Sequence, residues 1–150
     1  MNKYARFGAM IATSIVIMFG LMYLNIYSLD HLFFSWTRVF MTLIMGAAMA
    51  LIMLGFMRRM YGQRNTNLAI VAGSIIVIVA ALWLVRSQAT IGDVAWMKAM
   101  IPHHSIAILT SERAQITDPR VRKLADDIIE AQRREISEMK ALIADLEKGQ

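Results

Sequence analysis

Residues 39–57 read VFMTLIMGAAMALIMLGFM and carry no charged side chain between Arg38 and Arg58. Two further charge-free, mostly apolar runs cover residues 7–29 and 65–85. Each run is close to the ~20 residues that a helix needs to cross ~30 Å of hydrocarbon. A helix is required because lipid offers backbone groups no other hydrogen-bond partner. The sequence therefore predicts three transmembrane helices within a membrane region of residues 1–88.

The composition of the 150-residue chain agrees with this prediction. Hydrophobic residues make up 57% and charged residues 18%, whereas a disordered chain needs low hydrophobicity and high charge. The sequence contains no cysteine and 13 methionines. Disulfides, thiolate metal sites and cysteine nucleophiles are therefore excluded, while thioether sulfur is abundant.

Charge is distributed unevenly along the chain. Residues 1–88 carry seven Lys and Arg residues against one Asp, whereas residues 89–150 carry nine basic and ten acidic residues. The excess of positive charge therefore lies between apolar runs, where it sets membrane orientation, and not on a nucleic-acid-binding surface. The N-terminus and the second connection are the more basic segments, which predicts that both are cytoplasmic. The tail would then be periplasmic in the inner membrane of a bacterium, with the first span retained as an anchor.

A column of methionines runs along the second predicted span. Thioether sulfur is a Cu(I) ligand, so a ladder for copper movement is one interpretation. Methionine is also a flexible apolar filler, and Gly46, Ala50 and Gly55 on the same helix would allow close helix packing. We favour packing, because no polar partner accompanies the column, which consists of Met41, Met45, Met49, Met53 and Met57.

The tail, residues 89–150, is predicted to form an antiparallel helical hairpin. Asp118-Pro119 combines an N-cap with a proline suited to a first turn, which predicts a second helix over residues 119–147. The first helix is expected to start at a cap formed by Thr90 or Asp93 and to end at this turn. Because the turn is short, the two helices should pack side by side.

Each helix of the predicted hairpin has an apolar face, called its seam below, that should pack against the other helix. Potential metal donors interrupt both seams. In the second helix, Gln132 and Glu135 occupy seam positions where a packing-only sequence would place leucine or alanine. A buried carboxylate is costly unless it is paired or binds a metal. Folding the hairpin at its turn predicts three facing pairs: Met100 with Glu135, Met97 with Met139, and His104 with Gln132.

The donor types indicate copper. Imidazole binds several transition metals, whereas thioethers select Cu(I). Structural zinc usually takes four Cys or His ligands, and a di-iron site needs Glu-x-x-His motifs, which are lacking. His103 and His104 leave a regular helix about 100° apart, so Pro102 would have to rotate them or His103 would serve a second chain. We expect Cu(I) to bind through Met97, Met100, Met139 and His104, with Glu135 or Asp93 assisting.

Two blocks of the tail resemble the signature of the DUF305 family. Residues 93–104 read DVAWMKAMIPHH, followed by Ala107-Ile108, and residues 132–139 read QRREISEM. The resemblance covers about residues 90–147 and implies a ferritin-like helical bundle, with members implicated in periplasmic copper binding and resistance. This chain departs from many members by having one hairpin behind three spans. When the family signature is transferred position by position to this sequence, the resemblance implies that the site residues are Asp93, Met97, Met100, His103, His104, Gln132, Glu135 and Met139.

The fold class predicted is all-α: three transmembrane helices followed by an extramembrane hairpin, which is half of a ferritin-like four-helix bundle. A lone hairpin leaves apolar flanks uncovered, so a homodimer or higher homo-oligomer should complete the bundle. The function expected is non-enzymatic copper sequestration or delivery in copper tolerance, with an unidentified periplasmic partner. The alternatives are a metal-free oligomerisation or docking module and, less favoured, a copper-conducting membrane oligomer.

Overall fold

The computed structural model describes residues 2–149, and these residues form five α-helices and one short 3-10 helix, with no strand among them. The helices are α1 (Lys3–Leu21), α2 (Trp36–Phe56), α3 (Arg64–Ser87), α4 (Asp93–Arg113) and α5 (Pro119–Lys148), and the 3-10 helix is Leu29–His31. The predicted all-α fold, with three apolar helices followed by a hairpin, is confirmed. Helices α1, α2 and α3 are each long and apolar enough to cross a membrane.

The first span ends earlier than predicted. Helix α1 stops at Leu21, eight residues before the expected end of the first run, and α2 already starts at Trp36. The last part of that run contains Tyr23, Asn25, Tyr27 and Ser28, whose polar groups suit a membrane interface better than its core. The spans α2 and α3 begin and end within three residues of the predicted limits.

The chain divides into two compact units. The membrane unit contains the chain up to Met22 together with Thr37–Thr90, and the hairpin unit contains Tyr23–Trp36 together with the chain from Ile91 onward. The segment Tyr23–Trp36, called the first connection below, was expected to belong to a membrane region of residues 1–88. Instead it packs with the hairpin. The first connection is therefore part of the hairpin unit.

Small residues form the buried face of α2 in the membrane unit. Thr42, Gly46, Ala47 and Ala50 are buried, together with Leu54. The column of methionines lies beside this face: Met41 is exposed, Met45 and Met49 are partly buried, and Met53 and Met57 pack against an apolar cluster centred on Phe7 and Tyr61. This arrangement agrees with the packing interpretation of the column.

Local signals explain the ends of the hairpin helices. The side chain of Asp118 accepts a hydrogen bond from the Arg120 backbone N–H at 2.8 Å, and Pro119 is the first residue of α5, as predicted for an N-cap followed by proline. Gly92 is the N-cap of α4, without a side-chain cap bond. The expected caps, Thr90 and Asp93, therefore do not occupy that position, and Asp93 instead places its negative charge in the first turn.

Candidate metal site

A groove between α4 and α5 brings together four of the predicted donors. Its volume is about 250 Å³. Met97 and His104 contribute to it from α4, and Glu135 and Met139 contribute from α5. The other lining residues are Trp96, Glu138 and Leu142.

His104 and Glu135 form the polar centre of the groove. His104 Nδ1 lies 3.1 Å from Glu135 Oε2, which is within ion-pair distance. The geometry is not that of a hydrogen bond, so Nδ1 is buried without a hydrogen-bond partner among residues 2–149. Burial lowers the pKa of His104, an effect that the Glu135 carboxylate opposes and the neighbouring His103 reinforces. A lowered pKa keeps the imidazole neutral at pH 7, which is the form that binds a metal.

The two thioethers of the groove are held by the apolar core of the hairpin. Met97 and Met139 are only 5% and 6% exposed and belong to the same buried cluster as Ile101, Ile136 and Ile143. A side chain packed this way has little freedom to move, so this part of the groove lining is rigid.

The other four predicted donors lie outside this lining. Met100 packs against the hairpin core, and Asp93 is exposed at the start of α4. His103 is exposed, and its ring centroid lies 6.0 Å from that of His104. Gln132 is partly buried.

One of the three predicted facing pairs is shifted by about one turn of α5, whereas Met97 and Met139 line the same groove. Glu135, not Gln132, lies next to His104. The connection between α4 and α5 explains the difference. It has extended backbone at both Ala114 and Asp118, where each residue advances ~3.3 Å instead of the 1.5 Å of a helix. Counting helical positions across such a turn does not fix the register.

Three lining residues were not predicted as part of the site. Glu138 and Leu142 follow Glu135 at intervals of three and seven residues, which places all three on one face of α5. That spacing was the available signal. Trp96 is 51% exposed next to the buried Met97, and because single exposed apolar side chains are common, the sequence contains no signal that it would line the groove.

His, Asp and Glu side chains alone do not form a metal site in the described part of the chain. Within residues 2–149, no group of three or more His, Cys, Asp or Glu side chains is placed to hold a metal ion. The donor side chains that line the groove are His104, Glu135 and Glu138 together with the thioethers of Met97 and Met139. This donor set fits a soft ion such as Cu(I) better than zinc, which is usually bound by three or four His, Cys or carboxylate ligands.

The first connection contacts α4 through Ser105, the residue after His104. Ser105 is fully buried, and its Oγ accepts a hydrogen bond from the Tyr27 backbone N–H at 2.7 Å. His31 Nδ1 lies 2.9 Å from the same oxygen. Asp30 forms an ion pair with Lys140 of α5. The sequence analysis did not anticipate these contacts, which tie the first connection to both helices of the hairpin.

The guanidinium of Arg133 adds a further contact between the first connection and α5. Its central carbon lies 5.9 Å from the centroid of the Tyr27 ring, a cation–π distance. The same Arg133 also pairs with Glu112 at 2.5 Å, which links α5 to α4. The first connection is thus part of the hairpin unit by polar, ionic and aromatic contacts.

These features define a helical protein with three membrane-length spans and a hairpin that carries a His/Met groove. Residues 84–149 match the family described as "Domain of unknown function (DUF305)". The chain belongs to the DUF305 family, as the sequence blocks indicated.

A viral relative shares more than the hairpin with this chain. The chain is 39% identical over 106 residues to "Uncharacterized protein L153" of Acanthamoeba polyphaga mimivirus, which covers 69% of this chain and 68% of the relative. This alignment is longer than residues 84–149, so the similarity also includes part of the membrane unit. No solved structure matches the chain at a significant level.

Proposed function

We propose that the protein is a membrane-anchored, non-enzymatic Cu(I)-binding protein that sequesters or delivers copper in copper tolerance. The observation that carries this proposal is the groove in which His104 and Glu135 lie beside the buried thioethers of Met97 and Met139. Sulfur ligands select Cu(I), and a neutral imidazole adds a nitrogen donor.

The burial of the donors supports binding over a purely structural role. The Nδ1 atom of His104 is buried without a hydrogen-bond partner in the described part of the chain, and an unpaired buried polar atom is costly. A bound ion would offset part of that cost by engaging the imidazole. The Glu135 carboxylate, 43% exposed, would balance the positive charge of the ion.

The same geometry divides the histidines into two roles. His104 is the ligand of the groove, whereas His103 is exposed and directed away from it. A second chain would bring an exposed His103 within reach of another groove. A homodimer would also cover Trp96 and Leu142, which are 51% and 46% exposed beside the groove, and would complete a four-helix bundle.

The location proposed is the inner membrane of a bacterium, with the hairpin in the periplasm. The basic N-terminus and the basic second connection support a cytoplasmic placement for these two segments. A hairpin outside the cytoplasm would meet copper before it enters the cell.

The test is a Cu(I) titration of the full-length protein in detergent, purified without a polyhistidine tag and measured by competition with a chromogenic Cu(I) chelator. Replacing a metal ligand removes a donor, so His104→Ala and Met97→Leu/Met139→Leu should each weaken binding by about tenfold or more. The matched controls are His103→Ala and Met45→Leu/Met49→Leu, which change the same residue types outside the groove and should retain the affinity of the wild type.

The main alternative is a hairpin that serves only for oligomerisation or docking, with His104 and Glu135 setting the helix register. In that case the Met97→Leu/Met139→Leu variant should keep or gain stability, and Cu(I) affinity should be equally weak in all variants. Equal affinity of the groove variants and their controls would contradict the copper proposal.

A further inference from the structure

A second cavity lies at one end of the membrane unit. Its volume is about 440 Å³, within the ~300–1,000 Å³ that is typical of small-molecule sites. Lys3, Arg6 and Phe7 line it from the start of α1, and Met57, Met60 and Tyr61 line it from the end of α2 and the residues that follow. The cavity thus combines two cations with apolar and aromatic side chains.

The wall of this cavity is held in place by aromatic packing. Phe7 and Tyr61 are each 5% exposed, and their ring centroids lie 5.4 Å apart in an edge-to-face arrangement. The ring of Tyr4 packs on Tyr61 at a centroid distance of 5.2 Å. Aromatic pairs of this geometry stabilise their partners beyond simple burial.

Hydrogen bonds connect the same wall to α3. The Tyr4 hydroxyl donates to Asn67 Oδ1 at 2.9 Å and accepts from the Gln63 backbone N–H at 3.0 Å. The Asn67 side-chain amide donates to the Tyr61 carbonyl at 2.8 Å. The start of α1, the end of α2 and the start of α3 are therefore tied together beside the cavity, so its shape is preformed.

The cations at this end have no acidic counterpart in the membrane unit. Residues 1–22 and 37–90 contain seven Lys and Arg residues and no Asp or Glu. Five of the seven lie at this end, namely Lys3, Arg6, Arg58, Arg59 and Arg64. The two that line the cavity, Lys3 and Arg6, therefore have no carboxylate of the membrane unit to pair with, which favours an anionic ligand.

The position of the cavity selects the class of anion. Cations at the ends of membrane spans lie at the level of lipid headgroups, and basic pockets between spans bind anionic headgroups. The remaining lining is apolar and continues into α1 through Phe7 and Met10. A free phosphate ion would leave this apolar surface unmatched, whereas a lipid matches both parts.

We propose that this cavity binds an anionic phospholipid, with its phosphate at Lys3 and Arg6 and an acyl chain along Phe7, Met10 and Met57. The site is independent of copper binding, because every lining residue belongs to the membrane unit. Its ligand would stabilise the joined ends of the three spans.

The experiment compares lipid binding by the full-length protein in mixed phosphatidylcholine and phosphatidylglycerol nanodiscs, followed by native mass spectrometry of the released protein. The wild type should retain phosphatidylglycerol. Lys3→Gln/Arg6→Gln should lower the affinity by about thirtyfold, the effect of losing two cation–phosphate contacts. The matched control, Arg58→Gln/Arg59→Gln, removes the same charge from the same end but no lining side chain, and it should stay within about twofold of the wild type.

A second variant tests the cavity without changing its charge. Met10→Trp adds bulk to the apolar lining and should also reduce lipid retention, while circular dichroism verifies that helicity is unchanged. Equal losses in the two double variants would assign the effect to general surface charge and overturn the proposal, as would unchanged retention in Lys3→Gln/Arg6→Gln. Stabilisation of the protein by inorganic phosphate alone, equal to that by phosphatidylglycerol, would also overturn it.

Discussion

Ser105 Oγ accepts the backbone N–H of Tyr27 at 2.7 Å, joining α4 to a segment 78 residues earlier in the chain. Ser105→Ala removes the acceptor and leaves a partly buried donor without it. We expect the free energy of unfolding to fall by about 1–3 kcal/mol, the cost of an unpaired buried polar group. Chemical denaturation in detergent, followed by circular dichroism, measures this change.

The matched control for that variant is Ser137→Ala, which makes the same replacement at an exposed position of α5. Its effect should stay within about 0.5 kcal/mol. Equal effects of the two substitutions would mean that the contact between Tyr27 and Ser105 does not stabilise the hairpin unit.

The contact of the first connection with the hairpin helices, called docking below, should weaken below neutral pH. Burial lowers the pKa of His31, with Asp30 raising it in part and Lys140 lowering it further. The docked state therefore binds a proton less readily than the detached state. The contribution of His31 to stability is complete above its ordinary pKa of about 6.5 and decreases as the pH falls toward the lowered value.

Asp30 does not contribute to the pH dependence of docking near neutral pH. Its hydrogen bond to Lys140 lowers its pKa to about 2, so its stabilising effect is lost only as the pH falls below its ordinary value of about 4. Hydrogen exchange of residues 23–36, corrected for intrinsic rates and compared at about pH 7.5 and pH 5.5, measures docking. Protection should decrease at the lower pH, and His31→Gln should reduce this dependence. The same dependence in both proteins would contradict the role of His31.

The Glu135 carboxylate should control the protonation of His104. Because it raises the pKa of His104 against the effect of burial, Glu135→Gln should lower that pKa further. Nuclear magnetic resonance of histidine-labelled protein measures the shift. Glu130→Gln, at an exposed position of α5, is the control and should leave the titration of His104 unchanged. An unchanged titration in Glu135→Gln would show that the two side chains are not coupled in solution.

Close packing of α1 on α2 depends on Gly46. A Cβ atom at this position would overlap Cδ1 and Cγ1 of Ile15, so we expect Gly46→Ala to destabilise the membrane unit by about 1–3 kcal/mol, as overpacking does. Gly73→Ala is the control, since a Cβ at Gly73 meets no atom within 4 Å. Thermal unfolding in detergent measures both variants.

A double-mutant cycle checks the cause of this effect. If overlap with Ile15 causes the loss, the cost of Gly46→Ala should be smaller in an Ile15→Ala background than in the wild type. A cost that is the same in both backgrounds would point to a different origin.

The spans could be predicted because charged residues mark their limits directly. Arg58 and Arg64 bracket the second connection, and Arg86 lies one residue before the end of α3. The end of α1 had no such signal, because the apolar run continues through Leu24 and Ile26 after the helix has stopped at Leu21. The docking of this segment on Ser105 is a long-range contact, which periodicity within one helix does not encode.

The sequence predicted donor residues that line the groove, but not which residues of α4 and α5 lie next to each other. The spacing of Met97 and His104 on one helix, and of Glu135 and Met139 on the other, follows from the helical repeat, and the groove contains all four. Which residue lies next to His104 depends on the path of the chain between Ala114 and Asp118. That path is extended at both ends, so the register is determined by tertiary packing.

The contacts of the first connection also impose an order on biogenesis. Tyr27, Asp30 and His31 leave the ribosome long before Ser105 and Lys140, to which they bind in the folded chain. The contacts with Ser105 can therefore form only after α4 has been synthesised, and the ion pair of Asp30 with Lys140 only after α5. Synthesis of α5 thus supplies the last of the partners that the first connection binds in the folded protein.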